Sequence, residues 1–126
     1  MRYQDLIVWQ RAMQLVEDVY QLASLLPPEE RYGLASQLRR SSRSVAANIA
    51  EGYGRGRTGD YRRHLSMANA SLFELETDLE LIVRVRLLTT GDVLRARERA
   101  AEVGRLLSAL RRALHTGRSE TGGPDA

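Results

Sequence analysis

The chain has 126 residues, 43% of them hydrophobic and 6% aromatic, which suits one domain with a core of mainly Leu, Val and Ala. It contains no cysteine, which excludes disulfides and thiolate metal sites, and no run approaches the ~18–20 apolar residues of a membrane span. The formal net charge is +3 and all 19 basic residues are arginine; with no apolar leader, a soluble cytoplasmic protein is expected.

Four amphipathic helices are expected, with no alternating strand pattern. The first covers about residues 3–25. Trp9, Ala12, Val16, Val19, Tyr20 and Ala23 share one face, widened by Val8, Leu15, Leu22 and Leu26, and Pro27-Pro28 ends it. The second, about residues 34–53, buries Leu34, Leu38, Val45, Ile49 and Gly52 with help from Ser41 and Ser42. Gly52, Gly54, Gly56 and Gly59 then break the chain, and Thr58 is the expected N-cap of the next helix.

That third helix, about residues 59–88, has a core stripe of Tyr61, Leu65, Ala68, Leu72, Leu75, Leu79 and Ile82. Met67, Ala70, Leu81, Val85 and Leu88 fall nearly opposite at ~100° per residue. A helix apolar on two sides needs two partners, so Met67, Leu81, Val85 and Leu88 are the expected oligomer interface. Thr89-Thr-Gly-Asp92 reads as a turn and N-cap. The fourth helix follows to about residue 115, with Val93, Ala96, Ala100, Val103, Leu107, Leu110 and Leu114 inward and Gly117 as its stop. The expected architecture is all-α, an antiparallel up-down-up-down four-helix bundle over residues 1–117 with a flexible tail at 118–126.

Charge is unevenly placed. Residues 31–63 carry eight arginines against Glu51 and Asp60, and residues 92–118 carry seven against Asp92, Glu98 and Glu102, whereas the rest is net acidic. Arg39, Arg40 and Arg43 project opposite Val45 and Ile49, and Arg55, Arg57, Arg62 and Arg63 follow closely in sequence. Such density suits a nucleic-acid backbone, where each arginine–phosphate contact releases counterions. Tyr53 and Tyr61 flank the loop and could offer stacking surfaces, although Tyr61 belongs to the core stripe.

Other motifs carry less. Gly54-Arg-Gly-Arg-Thr-Gly59 has dinucleotide-loop spacing but follows a helix instead of a strand, so an interhelical turn is the better reading. Ser44, Asn48 and Glu51, with Glu76 on the next helix, are expected to form a hydrogen-bond network that fixes register. Glu74, Glu76, Asp78 and Glu80 lack the Glu-x-x-His pairing of a bundle metal centre; His64 and His115 are expected at the surface or edge. No catalytic, metal or cofactor site is expected.

Several ordered segments together resemble one family. Asp5-Leu-Ile-Val-Trp9-Gln10 matches its opening. Pro28-Glu-Glu-Arg-Tyr-Gly-Leu34 with Gln37-Leu-Arg-Arg40 matches the start of its second helix. Ser44-Val-Ala-Ala-Asn48-Ile-Ala-Glu51-Gly52 is similar to its most characteristic element. Tyr61, Leu65, Ala68 and Ser71 through Glu74-Leu-Glu76 match its third helix. Over about residues 3–115 the chain resembles the four-helix-bundle proteins related to the 23S rRNA intervening-sequence protein, a group including the accessory variability protein of diversity-generating retroelements. The resemblance implies a ring-like homopentamer, a basic surface suited to RNA or DNA, no established enzymatic activity and, for the retroelement relatives, a place beside a reverse transcriptase. The chain departs from the pattern in using arginine where lysine is usual and in its Gly/Arg loop.

Two readings result. One is a non-catalytic, oligomeric nucleic-acid-binding accessory protein that reads backbone. The other is a protein-interaction scaffold that docks a partner on its basic face without nucleic-acid affinity of its own.

Overall fold

Aliphatic residues recurring every three or four positions close four helices around one core. In the computed structural model, which describes the backbone of residues 1–121 and the side chains of residues 1–115, these are α1 (Ile7–Ala23), α2 (Leu34–Gly54), α3 (Thr58–Arg84) and α4 (Thr90–Thr121). Single 3₁₀ turns lie at Tyr3–Asp5 and Pro28–Glu30. Among the described residues there is no strand, and no helix is long and apolar enough to cross a membrane.

Each helix packs on two others, α1 and α3 both lying against α2 and α4. Tyr53 reaches Met1 and Arg43 reaches Tyr20 between α2 and the α1 side; Ser44 meets Ser71 between α2 and α3. Arg11 pairs with Glu102 and Asp18 with Arg99 between α1 and α4, and His115 meets Arg62 while Arg97 meets Glu80 between α4 and α3. In each helix pair the residue numbers run in opposite senses. The most extensive contact is between α2 and α3.

The core stripes expected for α3 and α4 are buried, apart from Leu110, which is half-buried at the edge. On α1 the buried line is instead Val8, Ala12, Leu15, Val19, Leu22 and Ala23, continued by Leu26 beyond the helix. Trp9 and Val16 only flank it, and Tyr20 is exposed. The centre of the stripe is thus rotated from the expected face, because aliphatic side chains fill the space between α2 and α4 and the aromatics keep to its rim. α1 also stops at Ala23, where the Leu25 N–H bonds back to Leu22 and tightens the last turn.

α3 ends at Arg84, four residues before the expected Leu88. Arg86 takes the left-handed conformation (φ 63°), the Leu87 N–H bonds to the Ile82 carbonyl and the Arg86 N–H to Val83. These are the two hydrogen bonds of a Schellman stop, with arginine where glycine is usual. Leu87 and Leu88 then turn back onto the core. Leu88 therefore lies beyond α3, half-buried at the edge of the core, while Met67, Leu81 and Val85 are exposed.

The start of α4 is a reciprocal cap, the Thr89 N–H bonding Asp92 Oδ2 at 2.9 Å and the Asp92 N–H bonding Thr89 Oγ1 at 3.1 Å. The N-cap of α3 is Arg57; Thr58, expected to be the cap, is its first helical residue and is buried. α4 continues past Gly117 to Thr121, since an interior glycine costs a helix only ~1 kcal/mol and no proline follows before Pro124. Arg118–Thr121, expected in a tail, thus belong to the helix; residues 122–126 of that tail lie outside the described residues.

Candidate nucleic-acid interface

The expected arginine surface divides into three parts. On the α1/α2 side, Arg43 donates to the Tyr20 hydroxyl at 2.8 Å and the Arg39 guanidinium lies 5.9 Å from the Tyr20 ring centre. Arg40 bonds Gln37 one turn earlier on its own helix. Between α2 and α3, Arg55 pairs with Glu51 at 3.3 Å while Arg57 occupies the exposed N-cap. Only Arg62 and Arg63 turn toward α4.

There they join a group whose other half comes from the end of the chain. Gly59, Arg62, Arg63, Ser66, Ser108, Arg111, Arg112 and His115 line a cleft of about 690 Å³ between the start of α3 and the last turns of α4. Arg111 donates to Ser66 Oγ at 3.1 Å, and Arg62 lies 3.1 Å from His115 Nδ1. A guanidinium only donates, so in this contact His115 Nδ1 is the acceptor. Neither of these partners is a carboxylate. Arg63 meets a carboxylate, Asp60, at 3.4 Å and largely exposed. Among the described residues no carboxylate lines the cleft.

Arg97 and Arg99 of α4 are differently engaged. Arg99 holds Asp18 at 3.2 Å and Gln14 at 2.8 Å, and Arg97 holds Glu80 at 2.6 Å. The second basic block thus contains both bundle clamps and cleft residues, which composition cannot separate. Arg111, Arg112 and His115 were not singled out from sequence. The available signal was the Arg111-Arg112 pair near the end of helix four, which an up-down topology brings beside Arg62 and Arg63.

The expected polar network also divides. Asn48 Nδ2 bonds the Ser44 carbonyl at 2.9 Å and Ser44 Oγ at 3.1 Å, and Ser44 Oγ meets Ser71 Oγ at 2.8 Å, forming a chain across α2 and α3. Glu51 belongs elsewhere, with Oε1 3.6 Å from Nε2 of His64. Glu76 faces α4; burial raises its carboxyl pKa, opposed by the charge of Arg97. His64, expected near the surface, is buried at 3% exposure with Nδ1 2.9 Å from the Asp60 carbonyl. It fills the notch that Gly52 leaves on the facing helix.

Tyr61 is buried as expected, and its ring meets Tyr53 edge-to-face at 5.6 Å. Its hydroxyl is the one buried side-chain polar atom without a hydrogen-bond partner among the described residues, and burial pushes its pKa up to about 12. Tyr53 is half-buried and donates to the Met1 carbonyl at 3.2 Å, so neither tyrosine presents a free stacking face.

Known proteins place the chain in a family. The model of the 23S rRNA-intervening sequence protein family matches residues 4–109. Among solved structures, the chain is similar to a protein of unknown function from the S23 ribosomal protein family of Bacteroides thetaiotaomicron VPI-5482. The TM-score is 0.77 at 24% identity, covering 83% of this chain and 98% of that one, a likeness of fold. No curated protein matches the chain. With the family model spanning all but the first residues and the end of the bundle, the chain belongs to the 23S rRNA-intervening sequence protein family.

Proposed function

We propose that this protein is a non-catalytic, antiparallel up-down-up-down bundle that assembles with copies of itself and holds RNA or DNA by the phosphate backbone. The observation that carries this reading is the cleft in which Arg62, Arg63, Arg111 and Arg112 converge without a carboxylate among the described lining residues. Guanidinium groups pair bidentately with phosphate oxygens, and a concave site concentrates their field. The opposed residue numbering of each helix pair supports the topology. The exposed Met67, Leu81 and Val85 support self-assembly, in which a pentamer is the expected ring and a reverse transcriptase the expected neighbour for an accessory role.

The test is fluorescence anisotropy with labelled RNA and DNA across a salt series. Affinity should fall linearly with salt on logarithmic axes, and Arg63→Ala/Arg112→Ala should weaken binding across sequences and reduce the slope by about two. Arg39→Ala/Arg43→Ala should have the smaller effect, because both side chains are engaged with Tyr20. Absence of binding at low salt would overturn the reading and favour the protein scaffold. Sedimentation of wild type against Met67→Glu/Leu81→Glu tests assembly; a wild-type monomer at micromolar concentration overturns it.

A further inference from the structure

The arginine cleft does not end at Arg112. A groove of about 550 Å³ continues from it between α3 and α4, sharing Ser108 and Arg112 and reaching Asn69, Phe73, Glu76 and Gly104. It exists because α4 turns small residues, Ala101, Gly104 and Ser108, toward the longer side chains of α3. Phe73, the only phenylalanine of the chain, stands on its wall at 59% exposure. A large apolar ring at that exposure contributes little to the core. Asn69 and Glu76 flank it one turn to either side, both half-buried, and neither makes a hydrogen bond among the described residues. On α3, Phe73 lies about 80° around the helix from Leu81 and about 120° from Met67, with Asn69 and Glu76 further round, so self-assembly through Met67 and Leu81 leaves the groove open.

We infer that this groove takes a short stretch of single-stranded nucleic acid, its phosphates on the arginine cleft, one base stacked on Phe73 and that base's edge met by Asn69 and Glu76. The inference rests on the backbone-binding reading and names the form of nucleic acid it recognises. Charge complementarity sets the direction. Phosphates follow the arginines, from the cleft past Arg112 to Arg105 on the groove wall, and the Glu76 carboxylate repels them beyond. An aromatic face beside a basic track is the arrangement by which single strands are held, since every base has a face to stack. A duplex keeps its bases stacked on one another and cannot offer one to Phe73. Ten residues separate Arg63 from Phe73, about 15 Å along α3, so phosphate and base contacts fall at different points of one strand.

The carboxylate also predicts which base. Glu76 accepts hydrogen bonds, which suits the exocyclic amino groups of cytosine and adenine; Asn69 can both donate and accept. Thymine and uracil present carbonyl oxygens where those amino groups would stand.

The experiment uses the full chain and fluorescein-labelled oligo-dC, oligo-dA and oligo-dT of about 12 nucleotides, with a duplex of equal length. Wild type should bind oligo-dC and oligo-dA more tightly than oligo-dT, and single strands more tightly than the duplex. Phe73→Ala should weaken single-strand binding about 5- to 100-fold with the salt slope unchanged, Phe73→Tyr should restore it, and Glu76→Gln should narrow the dC/dT preference. Single-strand affinity untouched by Phe73→Ala but lost in Arg63→Ala/Arg112→Ala would overturn this inference and leave backbone binding standing. Tighter duplex binding would do the same. No affinity for any probe at low salt would overturn both.

Discussion

Gly52 lies directly against His64: a β-carbon placed on Gly52 would come 2.6 Å from the His64 Cβ and 3.2 Å from a ring carbon of Tyr61. The glycine is required by this close approach, since its backbone is ordinary helix. It lets α2 and α3 meet near their shared loop and admits a buried histidine there, with Glu51 one residue away in sequence and 3.6 Å from the ring.

Gly52→Ala should therefore destabilise the protein by about 3 kcal/mol, despite alanine's better helix propensity, because backbone-proximal atoms on α3 would have to move. Urea denaturation measures it. Gly54→Ala is the control: a β-carbon there meets nothing within 4 Å, so little loss is expected. Equal losses at both positions would show that the notch is not the cause.

Tyr61→Phe should leave stability unchanged or raise it by about 1 kcal/mol, since it removes a buried hydroxyl that has no partner and keeps the ring on Tyr53. A loss of more than about 1 kcal/mol in thermal denaturation would mean that the hydroxyl is satisfied in solution.

Arg86→Gly should stabilise by about 1 kcal/mol. Arginine at φ 63° carries a left-handed penalty that glycine lacks, and the Schellman hydrogen bonds remain. The melting temperature should rise by about 3–5 °C. Arg86→Val should lower it, because a β-branched residue tolerates this conformation least.

The pH dependence of Glu76→Gln follows from the sign of the carboxyl's shift. Burial raises the Glu76 pKa in the folded protein, so folding favours the protonated form. Its contribution is fully present below the unfolded carboxyl value and is lost as pH rises through the folded value. Glutamine resembles the protonated state at every pH. The variant should gain on wild type as pH rises from 3 to 7, most of it across the carboxyl range just above the usual ~4.3, and a pH series of urea midpoints checks this. A gain that shrinks with rising pH would contradict it.

The core of α3 and α4 was legible because each stripe keeps a strict three-and-four spacing over many turns. Three features were not. The end of α3 was hidden because its left-handed stop is an arginine, which carries no glycine signal. The burial of His64 was hidden because it depends on a missing side chain on another helix. The cleft was half visible. Arg62 and Arg63 stand in an obvious basic run, but Arg111, Arg112 and His115 join them only through pairing of segments about fifty positions apart. The same limit made Arg39 and Arg43 look free, since their partner Tyr20 belongs to another helix.

The two walls of the cleft differ in how they are anchored. The α3 wall adjoins the tightest helix contact, where Tyr61, His64 and Leu65 are all buried against α2. The α4 wall sits past Leu107, the last residue of that helix with no exposure among the described side chains; of those beyond it, Leu114 at 8% is buried. Local opening is easiest where few apolar contacts must be broken. Amide exchange should be slowest through α2 and α3 and fastest in the last turns of α4, and bound polyanion should slow it chiefly there. Under the backbone-binding reading proposed above, the cleft would then have one fixed wall and one that opens more readily.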